Sequence, residues 1–65
     1  MKFEFTKQEQ EYLTEQCNFT EQEEQIFKYR IKGKSIVEIS MLMYISEMTV
    51  KRRIKSIKNK IHKIL

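Results

Sequence analysis

Three times in this sequence, and nowhere else, a serine or threonine stands three positions ahead of a glutamate: Thr6 and Glu9, Thr20 and Glu23, Ser35 and Glu38. That spacing is a helix start. The hydroxyl accepts from the amide three residues on, and the glutamate reaches back to the amide of the capping residue, so two otherwise unpaired donors are satisfied together. Ser46 is a fourth cap without the glutamate, but Ile45 just ahead of it and Val50 four residues inside form a hydrophobic staple. The four signals predict helices over 7–17, 21–32, 36–43 and 47–63. Asn18 and Gly33 follow the first two helices and suit the left-handed residue that ends them. There is no proline, Gly33 is the single glycine, and no stretch alternates apolar and polar residues at period two. The fold class expected is therefore all-α, a small four-helix domain.

The faces of these helices follow from their apolar spacing. In the last helix Val50, Ile54, Ile57, Ile61 and Ile64 recur at steps of four, three, four and three, a narrow stripe on one side. The second helix turns Ile26, Phe27, Arg30 and Ile31 inward, with Phe19 as a lead-in anchor. The third offers Ile36, Ile39 and Met43, with small Ser40 where helices approach closely. In the first, Tyr12, Leu13 and Cys17 make the inner face, and Phe3 and Phe5 ahead of it are placed to plug a groove. Phe5-Thr6-x-Gln-Glu recurs as Phe19-Thr20-x-Gln-Glu, a reused helix start rather than a structural repeat. Only Tyr44-Ile45 separates the third helix from the fourth. So short a turn forces a steep crossing, which is helix-turn-helix geometry. Residues 1–18 are then an N-terminal extension with one helix and residues 19–65 a trihelical helix-turn-helix core, together one compact domain.

Charge points the same way. Residues 1–27 hold two Lys against seven Glu, net −5, whereas residues 28–65 hold eleven Lys/Arg against two Glu, net +9. Seven of those cations lie between Lys51 and Lys63 with no acid among them. A basic arc opposite an apolar stripe suits a helix that packs on protein with one side and meets a polyanion with the other. Cys17 and His62, one of each in the chain, supply neither a disulfide nor a zinc site. There is no aspartate, no Gly-rich phosphate loop and no nucleophile–base pair, so neither an enzyme nor a cofactor is expected. No apolar run nears the ~20 residues of a membrane span, and the expected location is the cytoplasm.

Three stretches carry a family likeness: Phe19-Thr20-Glu21-Gln22-Glu23, Gly33-Lys34-Ser35-Ile36-Val37-Glu38-Ile39-Ser40, and Ile45-Ser46-Glu47-Met48-Thr49-Val50-Lys51 ahead of Lys60-Ile61. Together they resemble the LuxR/GerE-type helix-turn-helix domain, over roughly residues 19–62. Region four of bacterial sigma factors looks similar over the same stretch. Past the Lys-Ile pair the LuxR/GerE type continues into a helix that commonly dimerises; here the extra helix lies at the N-terminal side. Val37, Met41 and Leu42 stand where that family often shows polar residues. Either the N-terminal helix covers them or they form an exposed apolar patch.

The resemblance implies a sequence-specific, double-stranded DNA-binding transcription regulator whose helix 47–63 enters the major groove. It points to Lys51, Arg52 and Lys55 as base-reading positions. Arg52 lies nearest the centre of the exposed arc, where a guanidinium can grip guanine O6 and N7 together. Met48 has two readings, a thymine-methyl contact or a space filler. Thr49, Arg53, Ser56 and Lys60 on the other shoulder suit phosphates, as do Ser35 and Ser46 at helix N-termini and Lys34 beside the first of these. Glu23 is expected as a capping partner, with a tether to Arg53 as a second role. A homodimer through the N-terminal helix or Ile61, Ile64 and Leu65 fits an inverted-repeat site. The alternative function is a protein-interaction module that contacts RNA polymerase or another regulator, in the manner of sigma region four or an anti-activator.

Overall fold

The computed structural model describes residues 3–65, which form four α-helices: α1 Lys7–Cys17, α2 Glu21–Ile31, α3 Ile36–Met43 and α4 Glu47–Ile64. Every start falls where the capping chemistry places it. Thr6, Thr20 and Ser35 each accept from the amide of the glutamate three residues on and receive its carboxylate on their own amide, at 2.8–3.2 Å. Ser46 caps α4 by accepting from the Thr49 amide at 3.1 Å. The ends shift by one residue: α2 closes at Ile31 and α4 runs on to Ile64.

Asn18 and Gly33 take the left-handed conformation, at φ 52° and 84°. After α2, the Gly33 amide donates to the Arg30 carbonyl and the Lys34 amide to that of Tyr29, a closure that needs a positive φ at Gly33. The turn between α3 and α4 closes the same way, the Ile45 amide donating to the Ser40 carbonyl at 3.1 Å. Here the left-handed residue is Tyr44, at φ 56° and ψ 42°. A side chain with a Cβ pays steric strain of about 1–2 kcal/mol in that region. Tyr44 is the first of the three residues, 44–46, that join α3 to α4.

Helix α4 is the hub, packing against α1, α2 and α3 in turn. Its stripe Val50, Ile54, Ile57 and Ile61 is buried together with Leu13 and Cys17 of α1, Ile26 and Phe27 of α2, and Ile39 of α3. Phe27 gathers the aromatic residues: the rings of Phe3, Phe5 and Phe19 lie 6.0, 6.0 and 5.1 Å from its own. The two N-terminal phenylalanines therefore do plug a groove, and the guanidinium of Arg30 sits 5.9 Å over the Phe3 ring. Tyr12 is not an inner-face residue, being 52% exposed.

The open question over α3 resolves in favour of exposure. Val37, Met41 and Leu42 are 50–70% exposed. The apolar side of α1 is used on α4, with Leu13 buried and Leu65 edging the same groove, so nothing of α1 is left to cover α3.

Candidate nucleic-acid interface

The candidate interface is the part of α4 that the core does not use, and it divides into two unlike shoulders. One faces α2. There Ser56 Oγ donates to Glu23 Oε2 and Lys60 Nζ to Glu23 Oε1, both at 2.6 Å, while Arg53 Nε donates to Gln22 Oε1 at 2.6 Å. Glu23 is 4% exposed, and its Oε1 also accepts from the Thr20 amide at 2.9 Å. A buried carboxylate is costly unless paired and hydrogen-bonded. Burial is the largest single influence and opposes ionisation; the hydrogen bonds from Lys60, Ser56 and the Thr20 amide, with the charge of Lys60, together outweigh it. The carboxyl is held down at about 2.

This arrangement changes the reading of three residues. Ser56 and Lys60, expected on phosphates, turn their polar atoms to Glu23. Glu23 keeps its capping role but tethers Ser56 and Lys60 rather than Arg53, whose partner is the neighbouring Gln22. The physical reason is burial: a carboxylate enclosed between α2 and α4 recruits the nearest donors on the facing helix. Arg53 remains exposed beyond its Nε contact.

The other side of α4 is open. Lys51, Arg52 and Lys55 are all exposed, and among the described residues none of them pairs with a carboxylate. Arg52 lies back along the helix, its Nη2 donating to Met48 Sδ at 3.7 Å. Met48 itself is 63% exposed. At the entrance to the helix, Ser46 Oγ and Thr49 Oγ1 share a hydrogen bond of 2.8 Å. Tyr44, on the short turn that the sequence marks just before α4, is 94% exposed. At the start of α3, Ser35 Oγ accepts from the Glu38 amide, and Lys34 Nζ approaches Glu38 Oε2 at 3.9 Å. The Ser35 amide and hydroxyl hold the Glu38 carboxyl below its ordinary range.

A buried three-helix mount thus presents the first turns of a basic helix, after a two-residue turn. The GerE family, described as bacterial regulatory proteins of the luxR family, matches residues 17–63. The chain belongs to this family. No curated protein and no solved structure matches it. The LuxR/GerE match begins at the last residue of α1, so it takes in α2, α3 and nearly all of α4, the elements that form the helix-turn-helix. Its domain is a DNA-binding regulatory one, and Phe3, Phe5 and all of α1 but Cys17 lie ahead of the matched residues. Among the described residues no cluster suited to a metal ion occurs and no helix is long and apolar enough to cross a membrane.

Proposed function

We propose that the chain binds double-stranded DNA sequence-specifically as a cytoplasmic transcription regulator, with the first turns of α4 in the major groove. The observation that carries this reading is the contrast within α4: Lys51, Arg52 and Lys55 are exposed and, among the described residues, without carboxylate partners, on a helix whose other shoulder is tied to α2. A groove about 12 Å wide admits one such helix. Arg52 reads a guanine, and Lys51 and Lys55 read neighbouring acceptors. Lys34, Ser35, Ser46, Thr49 and Arg53 hold phosphates, the hydrogen-bonded Ser46–Thr49 pair keeping one hydroxyl proton between them to donate. Ser56 and Lys60 act as struts that fix the rotation of α4.

Two copies would meet over Tyr12 and Leu65, both exposed at the edge of the groove formed by Phe5 and Leu13. Ile61 takes no part, being fully buried in its own core.

Selection of bound sequences from random duplex DNA, followed by a salt titration, tests the main reading. An enriched motif is expected, with log affinity falling linearly against log salt by about 0.9 for each phosphate neutralised. If no sequence is enriched and duplex is held no better than heparin, the reading fails.

A second reading, a protein-interaction module that contacts RNA polymerase or another regulator, is favoured by one observation. Val37 and Met41 point directly away from buried Ile39 and are 50% and 70% exposed. Under that reading Met41→Glu leaves duplex binding unchanged and abolishes the effect on transcription.

A further inference from the structure

Met48 lies in the first turn of α4, on the outward arc beside Arg52, and has no structural task there. The cap is made by Ser46 and Thr49, and the buried core takes up Val50, Ile54, Ile57 and Ile61 but not Met48. Among the described residues the polar contact its side chain makes is from Arg52 Nη2 to its sulfur at 3.7 Å. Residues four apart on a helix are offset by about 6 Å along the axis. The contact shows that these two side chains converge to less than that. Side chains in contact on the outward arc reach the same stretch of a groove floor, where base pairs stack about 3.4 Å apart, so a guanidinium on one base pair leaves the thioether within reach of its neighbour.

We infer that Met48 is a specificity-determining residue, its thioether packing on the C5-methyl of a thymine in the base pair adjacent to the guanine that Arg52 reads. This rests on the DNA-binding reading above. In the major groove the thymine methyl is the only apolar group a base pair presents, so an apolar side chain discriminates there and nowhere else. The flanking Lys51 and Lys55 end in ammonium groups, which seek acceptors, on flexible methylene stems. A thioether is polarizable and unbranched, able to lie against both a methyl and a guanidinium plane. The recognised element is then a guanine set by Arg52 with a methylated pyrimidine beside it.

The test replaces thymine by deoxyuridine, which lacks only the methyl, at each position of the selected duplex in turn. Wild-type protein is expected to lose about fourfold in affinity at one position, the one next to the guanine whose preference Arg52→Ala abolishes. Met48→Ala is expected to bind thymine and deoxyuridine duplexes equally at that position, and Met48→Leu to retain most of the discrimination. Melting temperatures of both variants should match the parent, since the side chain is exposed. If the wild type is indifferent to every thymine-to-deoxyuridine change while still selecting a site, this inference is wrong and the DNA-binding reading stands. Discrimination undiminished in Met48→Ala also overturns it. Failure to select any duplex overturns both.

Discussion

Arg52 and Lys60 are cations on one helix, about two turns apart, and the sequence reading assigns both to DNA, one to a base and one to a phosphate. Arg52 faces outward with a thioether for company, whereas Lys60 is bound to a buried carboxylate at 2.6 Å. The difference is set by what stands opposite. Glu23 lies across from one shoulder of α4 and converts Ser56 and Lys60 into parts of the fold. Among the described residues no carboxylate pairs with Lys51, Arg52 or Lys55 on the other. The same helix is thus a structural hub on one side and, under the proposed function, a reading head on the other.

The comparison breaks most visibly at Glu23. Replacing it by alanine strands Lys60, Ser56 and the Thr20 amide at once, and loss of one partner from a buried ion pair costs about 3–5 kcal/mol. Chemical denaturation of Glu23→Ala is expected to show that loss, and a change under 1 kcal/mol, the scale of a surface ion pair, would mean the cluster is only a surface feature.

Acid tests the same group without mutation. The folded carboxyl sits at about 2, below its ordinary 4.5, so ionised Glu23 stabilises the fold above pH 4.5. That stability, about 3 kcal/mol, is lost as pH falls from 4.5 through 2. A denaturation series over that range should fall steeply for the parent and more gently for Glu23→Gln, whose side chain does not titrate.

On the open side the effect moves from stability to recognition. Arg52→Ala is expected to melt with the parent and to cost about 1–3 kcal/mol of discrimination at one base position, read by repeating the duplex selection. A uniform loss across all sequences would demote Arg52 to a phosphate contact.

The smallest effect sharpens a second comparison, between the turns that end α2 and α3. Both hold a left-handed residue, Gly33 in one and Tyr44 in the other. Gly33→Ala is expected to cost about 1 kcal/mol through backbone strain alone, since a Cβ there meets nothing within 4 Å. Tyr44→Gly relieves the same strain and should leave stability level or raise it by up to about 1 kcal/mol, some being returned as unfolded-chain entropy. Thermal melts of both variants measure the difference.

Much of the fold was legible because capping is local. A hydroxyl and a glutamate three residues apart carry their own partner, so Thr6, Thr20 and Ser35 announced three helices and Ser46 with its staple the fourth. The stripe of α4 was legible for a similar reason, since helical periodicity is a property of one segment. What could not be read were contacts between distant segments. Ser56 and Lys60 meet Glu23 across 33 and 37 residues, and no spacing rule marks a carboxylate that the fold will bury. The exposure of Val37 and Met41 depended on where α1 docks. Tyr44 carries no sign of a positive φ, because the turn rather than the residue demands it.

The most direct test of the division within α4 measures melting and salt-dependent duplex affinity for Arg52→Ala and Lys60→Ala side by side. Arg52→Ala should melt as the parent does and bind the selected duplex at least about fivefold more weakly. Lys60→Ala should melt lower, with its folded fraction keeping the parental salt slope. A Lys60→Ala protein that melts like the parent but loses about one unit of salt slope would contradict the account, since Lys60 would then be a phosphate contact after all.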